Sequence, residues 1–136
     1  MRPAPAESVP ERIRTRGFRR WHEHVLIVAH GWLAACFVAM IFAATGLELL
    51  SMGDGPVEFL FDALLIAAAA VAGWQAWRRY RTGMTLAGRV SEQAACAACQ
   101  HYGFRVADAQ AGRLRALCPR CGAQWWIDLA NASPDP

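Results

Sequence analysis

Four of the five cysteines stand as two pairs, Cys96-x-x-Cys99 and Cys118-x-x-Cys121. A two-residue spacer lets both sulfurs of a pair face one point while nearby backbone N–H groups bond back to them. Two such pairs can surround a single tetrahedral metal ion. The spacing therefore predicts a metal held by Cys96, Cys99, Cys118 and Cys121. Two disulfides would need an oxidising compartment, and the charge pattern described below puts this segment on the cytoplasmic side. A stretch of about forty residues with few large apolar side chains also needs a staple to fold.

The elements that must position these thiols are short. Residues 103–107 and 113–117 read as strands joined by a turn at 108–112, and residues 124–128 read as a third strand. Adjacent strand residues face opposite sides, so Trp125 and Trp126 cannot both enter a small core. One is expected to cover the metal knuckles and the other to serve as an interaction anchor.

The rest of the chain is dominated by two apolar blocks. Residues 25–47 carry no formal charge, and residues 59–77 carry only Asp62. A helix of about twenty residues crosses the hydrocarbon layer of a bilayer, so two spans are expected at about 25–48 and 59–78. A soluble amphipathic helix would show a polar stripe, yet the first block offers only His30 and Thr45. Six arginines precede the first block, three directly follow the second, and the connecting loop has acids but no base. The positive-inside rule then places both termini in the cytoplasm. The expected fold class is an α-helical transmembrane hairpin of two spans plus a small β domain, in a bacterial inner (plasma) membrane.

Within this plan, residues 1–17, with three prolines and four arginines, read as a disordered basic arm. Residues 18–81 form the hairpin, 82–95 a polar connector, 96–130 the metal domain and 131–136 a tail. Phe18, Arg19, Arg20 and Trp21 suit the headgroup region. Gly31, Ala35, Ala39 and Ala43 recur every fourth residue, as do Ala68, Ala72 and Ala76. Such stripes let helix backbones approach closely in lipid, between the two spans or against a second copy or another membrane subunit. His30 is a functional candidate because it is an ionisable residue inside a span.

The second knuckle, Cys118-Pro119-Arg120-Cys121-Gly122, resembles both zinc ribbons and rubredoxins. That resemblance implies a small β domain with zinc or iron held by the four thiolates. In rubredoxins a glycine directly follows the first pair, whereas here Cys99 is followed by Gln100-His101-Tyr102. The departure favours a structural zinc ribbon, with iron as the alternative. His101 could replace a thiolate, although four cysteines already close the shell.

Residues 18–47, with His30-Gly31-Trp32 and a closing Thr45-Gly46-Leu47, resemble the first helix of b-type cytochrome subunits of formate dehydrogenases and hydrogenases. That resemblance implies haem b at His30. Gly31 separates the histidine from the tryptophan, and the second block has no histidine. A second axial ligand would have to come from another protomer or a partner, so no haem is assigned.

No nucleophile with a base, phosphate loop or helical metalloprotease motif is present, so neither an enzyme nor a small-molecule substrate is expected. Arg105, Arg113, Arg115 and Arg120 are too few to assign a nucleic-acid partner. The expected role is an accessory or assembly subunit that docks through its zinc ribbon. Electron transfer is the competing class, and a regulator sensing zinc or thiol oxidation is the third.

Overall fold

The computed structural model describes residues 8–52 and 55–129. Its elements follow the order α1 (Ser8–Arg16), α2 (Phe18–Met52), α3 (Pro56–Glu92), β1 (Arg105–Gln110), β2 (Arg113–Leu117) and β3 (Gln124–Asp128). The chain divides into two compact units, one made of Met1–Ile27 with Thr82–Pro136 and the other of Val28–Arg81.

The first unit is larger than the expected metal domain. Val9 and Ile13 lie one turn apart on one face of α1 and are buried, while Glu11, Arg12 and Arg14 point to solvent. Gly17, at φ +81°, ends this helix with its N–H bonded to the Ile13 carbonyl at 2.8 Å. Residues 8–16, expected to be disordered, are therefore helical and contribute to a core. A single apolar pair among arginines is too short to show a period. The rest of that expected arm, residues 1–7, and the tail from 130 onward lie outside the described residues.

Phe18, Trp21 and Val25 continue the apolar face at the start of α2. Leu86, Val90 and Ala94 supply it around the end of α3. The expected connector at 82–95 is thus mostly helix. Phe18 and Trp21, assigned to a headgroup region from the sequence, are buried here at 6% and 3% exposure.

The three strands form an antiparallel sheet in the order β1-β2-β3. Ala111 and Gly112 make the hairpin between β1 and β2, with Gly112 at φ +74° in the second central position, as a type II turn requires. The register shifts between Val106 and Asp108, so Ala107 is a bulged residue. On the inner face Leu114 pairs with Ile127 and Ala116 with Trp125. Leu114, Ala116 and Ile127 are fully buried, and a buried Leu or Ile stabilises by about 1.5–3 kcal/mol.

Gln93, just beyond α3, fastens β3 to that helix. Its carbonyl accepts from Trp125 Nε1 at 2.8 Å, its Oε1 accepts from the Asp128 N–H at 3.2 Å, and its Nε2 donates to the Arg89 carbonyl at 3.1 Å. Leu129 N–H closes the sheet onto the Gly112 carbonyl at 2.7 Å.

The second unit pairs the middle of α2 with the first part of α3. These helices are 35 and 37 residues long and apolar enough to cross a membrane. The residues they bury are small: Ala29, Ala39, Ala69 and Ala76. A Cβ placed on Gly73 would sit 3.4 Å from the Ala39 Cβ, and one on Gly46 would come within 2.8 Å of Ile66 Cγ1. Along α2 the inward positions are 29, 32, 36, 39, 43, 46 and 50, with half-buried Leu33 beside 32. They alternate steps of three and four, the period of a left-handed helix pair.

A stripe repeating strictly every fourth residue drifts off this seam. Ala39 and Ala43 lie in or beside it, while Gly31 and Ala35 are exposed. Large apolar side chains such as Phe37, Ile41, Phe42, Leu64 and Trp74 point outward.

Candidate metal centre

Two turns with the same backbone scheme carry the four cysteines. In the first, Cys96 N–H bonds to the His101 carbonyl at 3.0 Å, and Gln100 N–H returns to the Cys96 carbonyl at 2.9 Å. In the second, Cys118 N–H bonds to the Ala123 carbonyl at 2.8 Å, and Gly122 N–H returns to the Cys118 carbonyl at 3.1 Å. The offsets are identical, so the residue after each second cysteine must reverse the chain with a positive φ. Gly122 does so at +76° and Gln100 at +59°. A side chain in this region costs about 1–2 kcal/mol, so Gln100 performs a glycine's task under strain.

Elements on either side hold these turns in register. The second turn links β2 to β3. The first follows α3 and is closed by a bridge between Ala95 and Tyr102 and by Gly103 N–H on the Ala94 carbonyl at 3.0 Å. Below it lies an aromatic floor. Phe18 stacks near Phe104 with centroids 4.8 Å apart, meets the edge of Tyr102 at 5.6 Å, and lies 5.8 Å from His22. Tyr102 Oη is in turn 3.0 Å from Ser91 Oγ.

The four sulfurs converge. Cys96 and Cys121 Sγ are 3.6 Å apart, as are Cys99 and Cys118 Sγ, and all four lie within 4.8 Å of one another. Four thiolates at the Zn–S distance of about 2.3 Å define a tetrahedron with edges of about 3.8 Å. The set fits one metal ion. It does not fit disulfides, whose sulfurs are about 2.05 Å apart, and the cysteines are free thiols.

The electrostatics suit a cation too. The Cys121 backbone N–H, helped by that of Arg120 and by the Cys99 and Cys121 thiols, draws Cys118 down to about 6 against the rise from desolvation. For Cys121 the Ala123 N–H pulls downward. Desolvation and the neighbouring thiols outweigh it and push that thiol up to about 12. Cys118 therefore loses its proton well before Cys121, and a bound cation favours the deprotonated form of the latter. Cys96 and Cys118 are buried, Cys99 half-buried and Cys121 exposed, so the centre lies close to the surface of its unit.

The structure brings together all four cysteines named from their spacing and leaves the other candidates elsewhere. His101 enters the first turn through its carbonyl. Cys36 is half-buried on α2, outside the cluster of four. His30 is exposed on α2 with its ring 6.5 Å from that of Tyr80. The two tryptophans separate as their strand positions require. Trp125 packs inward against Phe104 at 6.3 Å, and Trp126 is 41% exposed with the Arg115 guanidinium 4.7 Å from its ring centroid.

Sequence reasoning missed Phe18, Gln93 and Gln100. For Phe18 a signal existed: Phe18, Trp21 and Val25 share one face, with Arg19, Arg20, Glu23 and His24 opposite. That amphipathic pattern marks a helix packed on a water-soluble core.

No family model, curated protein or solved structure matches the chain.

Proposed function

We propose that this chain is a two-span inner-membrane protein that presents a cytoplasmic four-thiolate zinc ribbon as a docking module for another membrane-protein subunit. The observation that carries the docking role is the outward face of the sheet. There Trp126 and Arg115 stack, and together with Gln124 and Trp125 they line a cavity of about 240 Å³. Such an aromatic–arginine pair is the composition of an interface anchor. A closed shell of four thiolates leaves no open coordination position, which favours a structural role over a catalytic one.

Support for the membrane reading comes from the exposed apolar side chains of α2 and α3 and from the arginines flanking the apolar blocks. Arg79, 4.5 Å over the Trp32 ring, adds an arginine–aromatic pair of the kind found at headgroup level.

Metal analysis with an absorption spectrum on detergent-purified protein tests the centre. One zinc per chain without visible colour supports the reading. The exposed Cys121 favours one second reading, iron with electron exchange through that thiolate, and iron with a thiolate charge-transfer band would put it first. A photo-cross-linking residue in place of Trp126 tests docking. A discrete adduct with a membrane protein in cells is expected, and an adduct pattern equal to that from exposed position 110 would remove the docking role.

A further inference from the structure

Two arginines stand on the outer face of β2, and their surroundings differ. Arg113 pairs with Asp128 at 2.8 Å. Arg115 lies opposite Asp108 in the strand register, yet no ion pair joins them. The Asp108 Oδ1 instead accepts from the Ala109 N–H at 2.8 Å. Among the described residues Arg115 makes no ion pair and no side-chain hydrogen bond. It is half-buried, with its guanidinium carbon 4.7 Å from the Trp126 ring centroid. Stacking engages the flat face of a guanidinium and leaves its in-plane N–H donors free. A charge drawn partly out of water without a partner is costly, so those donors mark a place for an anion. Gln124 lines the same cavity of about 240 Å³. It is exposed, and its carboxamide also has no partner among the described residues.

The adjoining backbone is open as well. Strand β3 is at the edge of the sheet. Its Asp128 N–H points away from β2 and is taken by Gln93 Oε1 at 3.2 Å. Alternate residues of a strand share that direction. The backbone groups of Trp126 and Gln124 therefore face the same edge, where no strand pairs with them among the described residues. We propose that this edge and cavity bind an extended acidic segment of a partner protein. Its backbone pairs with β3 from Gln124 to Trp126, and one of its carboxylates meets Arg115 in a two-pronged hydrogen bond. Gln124 offers a further donor. The cavity is smaller than small-molecule sites of about 300–1,000 Å³ and suits a single side chain. Arg105 and Arg120 are exposed and outside any ion pair among the described residues. They add positive charge that complements an acidic partner. The inference rests on the docking role and adds the chemistry of the partner.

The test is fluorescence anisotropy of a labelled peptide of alternating glutamate and valine, titrated with the full chain in uncharged maltoside micelles. Saturable binding is expected, weakening as salt is raised. The same peptide with glutamine in place of glutamate should bind at least about tenfold more weakly. Arg115→Gln should weaken binding of the acidic peptide by a similar factor. Binding no greater than to protein-free micelles, equal binding of the glutamine peptide, or indifference to Arg115→Gln would each overturn the proposal. Dimers of the chain that exclude the peptide would give the face to a second copy and overturn it as well. Adducts from position 126 in cells without peptide binding would leave the docking role standing and overturn only the acidic partner. Near-ultraviolet circular dichroism checks that Arg115→Gln folds. If it does not, Gln124→Glu, at an exposed position, sets a competing carboxylate beside Arg115. Loss of binding in that variant supports the site, and unchanged binding overturns it.

Discussion

The two units of this molecule bury opposite kinds of residue. The first hides Ile13, Phe18, Trp21, Leu114 and Ile127 and turns arginines outward. The second hides Ala29, Ala39, Ala69 and Ala76 and turns Phe37, Phe42, Leu64 and Trp74 outward. In water the gain comes from removing large apolar surface from solvent. Where the surroundings are themselves apolar that gain vanishes, and close backbone approach through small residues takes over. One chain thus carries two packing rules. The contrast supports the proposal made above, in which the second unit lies in lipid and the first in water.

Removing the metal should break the first unit alone. Cys118→Ser, or a strong chelator, is expected to abolish metal binding and expose Arg105, Arg113 and Arg115 to trypsin. Helical signal from the second unit should persist. Structural zinc sites contribute about 10–16 kcal/mol of apparent binding energy to folding, which makes this the largest expected effect. Loss of the helical signal of the second unit together with that of the sheet would contradict the division into units.

Acidification acts on the same centre. The metal-free Cys118 thiol is depressed from 9.0 to about 6. Its contribution is fully present above the unfolded value and is lost as pH falls through about 6. Metal uptake by the stripped protein, followed by competition with a chromogenic chelator, should weaken steeply across that range. The dependence on pH should steepen by about one proton below about pH 6, and a slope unchanged from about pH 5 to about pH 7 would show that Cys118 does not take the first charge.

Core truncation is smaller and equally local. Ile127→Ala should cost about 2–5 kcal/mol in the first unit, read from urea unfolding by tryptophan fluorescence. The reverse change belongs to the second unit. Gly46→Leu should cost about 1–3 kcal/mol, because even its Cβ would press on Ile66, while Gly31→Leu on the exposed side should be near neutral. Cross-linking efficiency between cysteines placed on α2 and α3 reads this difference. Equal effects from the two glycines would remove the seam described above. The smallest change is a gain: Gln100→Gly should stabilise the first turn by about 1 kcal/mol, measured as tighter metal affinity.

How far the sequence announced all this depended on how locally each feature is encoded. The four thiols were legible because the two-residue spacer is itself the geometric requirement. Strands β2 and β3 were legible to the residue because Leu114, Ala116 and Ile127 alternate with polar or exposed neighbours. Strand β1 was displaced by two residues, since nothing local announces that Ala107 bulges. The two apolar helices were legible from their lack of charge, but their ends were not. Phe18 and Trp21 read as headgroup-level residues, and Leu86 and Val90 as part of a polar connector, until the sheet packed against them is in view. Gln100 was illegible for a different reason. Its positive φ is imposed by the bonds that Cys96 makes on both sides of it, and a glutamine gives no hint of that.

The core of the first unit also sets a schedule for synthesis. Val9, Ile13, Phe18 and Trp21 leave the ribosome early, yet Leu114 and Ile127, which they share a core with, follow about a hundred residues later. At about 5–20 residues per second that delay is about 5–20 s. Throughout it, the earliest apolar residues stand without their partners, and the two long helices are completed first. Helix α1 is therefore made well before the sheet with which it shares a core.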